Sequence, residues 1–258
     1  FFLSSFKPIT VLKGKINAGF RKSTLRSGLV VFQFATSIVL IIGTVVVYRQ
    51  LNYIQTTRVG FNKDQLLIID GTYALGQQKE AFKNDVLGFS GVKGATMSNF
   101  LPINPSSRND NTFSKEAVMD AKSALSMQNW KVDPDYIPVM GMEMAKGRNF
   151  SRDFGGDSLS MIINESTASI LGYEDPIGKK IYGSNGSDGT MNEVYTIVGV
   201  VKNFHYESLR DKIGPLSMIL GKENLNRAVF KVSATDMQPL IAKIEKRFKE
   251  MAPDMPFS

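Results

Sequence analysis

Leu29 to Tyr48 reads LVVFQFATSIVLIIGTVVVY, twenty residues without a charge. As a helix at ~1.5 Å per residue the run spans about 30 Å, the thickness of a bilayer's hydrocarbon core. Its polar members are Gln33, Thr36, Ser37 and Thr44. Ser and Thr hydroxyls can bond back to helix carbonyls, and Gln33 lies near one end, within reach of the interface or a neighbouring helix. A buried helix of a soluble protein rarely runs this long without a charge. A secretory signal peptide has a shorter apolar region, ~7–15 residues, and a small-residue cleavage site. Tyr48-Arg49-Gln50-Leu51 offers no such site. The run reads as a retained transmembrane helix, 29–48, and it divides the chain.

Upstream, residues 1–28 hold Lys7, Lys13, Lys15, Arg21, Lys22 and Arg26 and no acidic residue. Of the chain's formal +7, only +1 remains for residues 29–258. Lys and Arg collect on the cytoplasmic side of a membrane. The N-terminus is therefore expected in the cytoplasm and residues after 49 outside it. Val11, Leu12, Ile16 and Phe20 among these cations suggest a short amphipathic stretch on the lipid surface. The same distribution argues against nucleic acid as a partner, because the basic excess is juxtamembrane and the main domain is nearly neutral. The chain opens on Phe1-Phe2-Leu3, ends on Met255-Pro256-Phe257-Ser258, and reads as a piece of a longer protein.

Downstream, Gln65–Asp70 is an apolar strand, 77–87 a helix with Phe82 and Val86 on one face, and 92–100 a second strand. Residues 103–123 are polar and turn-rich and read as a loop. Leu125–Val132 is a strand. Asp133 then reads as an N-cap with Pro134 at the first helical position. Ser160–Ile163 is a strand, Asn164 caps a helix to Leu171, and Gly172 ends it. Ile177–Tyr182 is extended, and 183–192 is a loop. VYTIVGVV (194–201) is the most strand-like stretch in the chain. Strands at 215–220 and 228–232 and a helix over 236–251 complete the domain. A strand–helix–strand unit opens it, a strand–helix unit closes it, and a β-rich block lies between. The fold class is α+β, with the middle block inserted.

No catalytic, cofactor-binding or metal constellation appears. His205 is the only histidine and there is no cysteine, so neither a usual zinc site nor a Gly-x-Ser-x-Gly triad can be assembled. Gly178-Lys179-Lys180 and Gly221-Lys222-Glu223 lack the first Gly and the hydroxyl of a phosphate loop. The pairs Asp133/Asp135 and Glu174/Asp175 read as caps or turns. His205 reads as a structural or surface residue.

Several stretches nevertheless form an ordered set. Val132-Asp133-Pro134-Asp135-Tyr136 is followed by Gly141 to Phe150 (GMEMAKGRNF), then Ile162-Ile163-Asn164-Glu165-Ser166, Asp175-Pro176-Ile177-Gly178-Lys179 and YTIVGVVKNFHYESL (195–209). In this order, behind a transmembrane helix, they resemble the MacB/FtsX-like family of ABC-transporter permeases. Asp133, Tyr136, Gly147, Arg148, Asn164, Glu165, Pro176, Gly178, Gly199 and His205 are the fold-motif positions that match. FFLSSFKPITVLKG (1–14) resembles the junction before the second half of long two-unit permeases.

The resemblance implies a cytoplasmic lead-in (1–28), the transmembrane helix (29–48), a periplasmic linker (49–60) and a periplasmic core domain (61–258). That domain would be an efflux-pump-porter-like α+β subdomain carrying an inserted β-rich subdomain at about 104–212. It further implies a non-catalytic subunit in a bacterial inner membrane, without cofactor. Its partners would be an ABC ATPase, a second permease copy, membrane lipid and a periplasmic adaptor or outer-membrane protein. The other reading that the residues allow is a ligand-sensing domain of a membrane receptor.

Overall fold

In the computed structural model, residues 19–57, 59–61, 65–102, 108–118, 123–152, 155–184, 191–221, 225–233 and 237–257 are described. The chain forms two units, 1–57 and 58–258. Of the lead-in expected at 1–28, residues 1–18 lie outside the described residues, and 19–28 form the start of the first helix.

The first unit is helix α1, Gly19–Thr56. Its apolar portion, Leu25–Ile54, is long enough to cross a membrane and none of it is buried by protein. Thr36 and Thr44 satisfy their hydroxyls within the helix, donating to Phe32 O (2.9 Å) and Leu40 O (2.8 Å). Such back-bonding removes the cost of a bare hydroxyl in lipid.

The second unit begins with β1 (Leu66–Asp70), followed by a 3₁₀ segment (Thr72–Gln78), α2 (Lys79–Leu87) and β2 (Val92–Ser98). It ends with β10 (Arg227–Val232) and α5 (Gln238–Met251). β10 lies between β1 and β2 and is antiparallel to both. β1 and β2 are thus parallel and joined by a helical crossover, a split β-α-β arrangement. α2 and α5 cover one face of this sheet. Phe82, Val86, Leu240, Ile244 and Phe248 pack there on Ala95, Met97, Ala228 and Phe230. The four-residue repeat of Leu240, Ile244 and Phe248 fixes which side of α5 is buried.

Between β2 and β10 the chain builds β3 (Asp110–Ser114), β4 (Ala124–Val132), α3 (Tyr136–Met140), β5 (Met144–Gly147), β6 (Ser160–Asn164), α4 (Glu165–Leu171), β7 (Lys180–Ser184), β8 (Met191–Val201) and β9 (Leu216–Leu220). Strands β4, β3, β7, β8, β6 and β9 pair in that order, and β9 returns to pair with β4. The result is a closed six-stranded ring. Alternation fills it, since Phe113, Met127, Met161, Ile163, Ile181, Tyr195, Ile197 and Ile219 share one cluster. Their neighbours Trp130, Val132, Ile162, Leu216 and Met218 face a third cluster outside the ring, against α3 and the half-buried Leu66 and Ile68 of β1. A bulge in β8 between Ile197 and Gly199 keeps both Ile197 and Val200 inward.

Three expectations are corrected. β3 lies inside the stretch read as a loop. β5 occupies Met144–Gly147, where no strand was expected. Asp133 is not a helix cap: α3 starts at Tyr136, beyond Pro134, and the Asp133 carboxylate is engaged elsewhere.

Candidate functional site

The domain's polar hub is on α2. Lys83 is a helix residue with its side chain buried to 1% exposure, and its ammonium meets Asp133 and, at 2.6 Å, Asp135. Asp133 also accepts from Thr96 Oγ1, from Met97 N (3.0 Å) and from Asp135 N (3.1 Å). Burial alone would lower the Lys83 ammonium; Asp133 first, then Asp135 and Glu80, hold it above its ordinary value. Arg152 extends the network at the surface to Glu80 (2.8 Å) and Asp135 (2.9 Å). A polar cleft of about 420 Å³ adjoins it, walled by Lys79, Glu80, Asp133 and Arg152. The hub joins α2 of the α/β sheet to the turn that leaves β4.

Gly147 and Gly199 are opposite one another where β5 meets β8. A Cβ on either would overlap the other strand's backbone, at the Val198 carbonyl or the Arg148 carbonyl. This close approach presents Arg148 to Asp157. The guanidinium is bidentate (2.8 and 2.6 Å), and Ser151 N and Ser160 Oγ complete the carboxylate's partners. Arg148 holds the Asp157 carboxyl down to about 2.

Asn164 is the N-cap of α4. Its Oδ1 accepts from Thr167 N (2.9 Å) and Leu216 N (3.2 Å), and its Nδ2 donates to Gly214 O (2.8 Å). Glu165 Oε2 accepts from Asn203 N (2.8 Å), while Asn203 Oδ1 accepts from Ser166 N (3.0 Å). Pro176 is buried and Gly178 sits at φ +79°, in a turn whose Gly178 N–H donates to Ile197 O (2.8 Å). Tyr136 is buried and donates to Phe100 O (3.1 Å).

The loop leaving β8 receives the segment that follows the apolar helix. His205 N donates to Val59 O at 2.7 Å. Gly60 adopts φ +88°, and a Cβ there would sit 2.7 Å from the Cβ of Phe204. The Phe61 ring stands edge-on to Phe204, 6.4 Å between centroids. Phe204 continues into Trp130 (5.6 Å) and Tyr206 (5.7 Å), and Trp130 stacks on Phe100 (4.8 Å). His205 thus contributes its backbone amide to this junction.

The structure brings Asp133 to Lys83, Arg148 to Asp157 and Asn164 to β9. It leaves the motif positions dispersed over the domain rather than converging on one pocket. Sequence reasoning missed Lys83 and Asp157, whose partners are 50 and 9 residues away in the chain. The local signal for Lys83 was its place one residue after Phe82 on the packed side of α2. Among the described residues, no group of three or more His, Cys, Asp or Glu could hold a metal ion.

Residues 29–246 match the family described as MacB-like periplasmic core domain. No curated protein matches the chain. Among solved structures, the periplasmic region of MacB from Actinobacillus actinomycetemcomitans is similar at 14% identity and a TM-score of 0.52, over 77% of this chain and 89% of that one. The extracellular domain of the noncanonic ABC-type transporter YknZ from Gram-positive bacteria aligns at 16% identity and a TM-score of 0.46, over 68% of this chain and 82% of that one.

Proposed function

The chain belongs to the family of MacB-like periplasmic core domains, and from that premise we propose that it is a non-catalytic permease segment of an ABC transporter. In this reading α1 crosses a bacterial inner membrane with residues 1–28 in the cytoplasm and the span at 29–48. Residues 49–60 link it to the periplasmic core domain at 61–258, whose inserted part covers about 104–212. A partner ATPase hydrolyses ATP in the cytoplasm. This chain contributes motion: displacement of α1 repositions the domain and so exports or extracts a substrate. The single observation that carries the reading is that the family match covers both the apolar helix and the domain behind it. The dispersal of the motif residues, each closing a joint between elements, agrees with a moving part rather than a reaction centre.

The test is co-purification of the full-length protein from detergent. An ATP-binding subunit that comes with it, and whose hydrolysis rate changes when this chain is removed, is the expected result. A protein that comes alone or with signalling partners overturns the reading and favours a sensor.

A further inference from the structure

We propose that Val59-Gly60-Phe61 anchors the membrane-proximal segment, and that it delivers displacement of α1 to the six-stranded ring before the α/β sheet. The proposal rests on the permease reading only for its premise that the helix moves the domain.

Chain order is the first argument. After α1 ends at Thr56, the first described residues with tertiary partners are Val59 to Phe61. All three partners lie in one place, Asn203 to His205, at the exit of β8. The nature of the contact is the second. Val59 O accepts from His205 N, Gly60 lies against the Phe204 backbone, and the Phe61 ring meets the Phe204 ring. The left-handed φ and the missing Cβ are both required of Gly60 for so close an approach. Asn203 and α4 are tied by the two bonds with Glu165 and Ser166, and α4 is tied to β9 through Asn164. Load entering at Phe204 therefore has a hydrogen-bonded path into β8, α4 and β9.

The sheet is reached later. β1 begins only at Leu66, and Gln65 before it takes a left-handed φ of +59°, unusual for a residue with a side chain. Gln65 O accepts from Val232 N (2.9 Å). Along the backbone, tension on the helix meets the first attachment before this second one. β1, an edge strand paired among the described residues with β10 alone, takes load through its Leu66 and Ile68 packing against the Phe204 cluster only after the Val59–Phe61 contact is loaded.

The test applies the displacement directly, so it can fail separately from the permease reading. The chain contains no cysteine. Tyr53→Cys and Val118→Cys, both at exposed positions, give unique handles on the helix end and on the ring side of the full-length, detergent-solubilised chain. Pulled by optical tweezers, the protein should show an initial rupture lengthening it by no more than ~20 Å, the reach of the residues up to Gln65, before any larger event. Gly60→Val should abolish that step. Phe61→Ala, which keeps the backbone contact, should retain it at lower force and serves if Gly60→Val fails to fold. Traces in which both variants match the parent overturn the proposal.

Discussion

At the scale of the residue, the domain rests on charges placed where no water helps them. Lys83 is the sharpest case. Lys83→Met leaves the buried Asp133 carboxylate without its cation, and breaking a buried pair in this way costs about 3–5 kcal/mol. Arg152 binds the same acidic group from the surface, half exposed; Arg152→Ala should cost less than ~1 kcal/mol. Equilibrium unfolding of the detergent-solubilised chain distinguishes the two. Asp157 gives a pH dependence of known sign. Its carboxyl is held down, chiefly by Arg148, to about 2 from an ordinary value of 3.8. A depressed carboxylate stabilises the fold fully above its unfolded pKa and loses that contribution as pH falls through the folded one. The parent should therefore exceed Asp157→Asn in stability by about 1–2 kcal/mol at pH 6, with the gap closing between pH 4 and pH 2. A gap that persists at pH 2 would mean that the bonds from Ser151 and Ser160 matter more than the charge.

At the scale of the element, β5 exists because two glycines let two backbones touch. Gly199→Ala places a methyl group against the Arg148 carbonyl, so β5 must lift from β8. The expected loss is about 2–4 kcal/mol, with hydrogen exchange at the Arg148 amide, which donates to Val198 O, rising in step. This joint also explains what the sequence could convey. β8 and α4 were readable because β-branched runs and an Asn cap followed by a Gly stop are local signals. β3 was not: only Phe113 among its five residues is a large apolar side chain, and its identity as a strand comes from partners at Leu125 and Gly183. β5 carries no periodicity in four residues and depends on a strand more than fifty residues later. Asp133 was misread as a cap for the same reason. Proline spacing is visible along the chain, whereas a lysine on another element is not.

At the scale of the whole molecule, the split β-α-β frame with its inserted block could be foreseen from element order alone; closure of the block into a ring could not, because it hinges on the parallel pairing of β4 with β9, strands far apart in the chain. Orientation is the prediction that belongs here. Six cations ahead of the apolar span should keep the N-terminus inside. A lone cysteine at Val118 should react with a membrane-impermeant maleimide in intact spheroplasts, and labelling only after lysis would invert the topology. The ring has one more consequence. Its first strand, β3, and its last, β9, both flank β4, so the inserted block closes on itself and leaves the ring no unpaired side on which copies could polymerise. Loops on such a closed cassette can lengthen without unzipping any strand, because every strand of the ring keeps both of its neighbours.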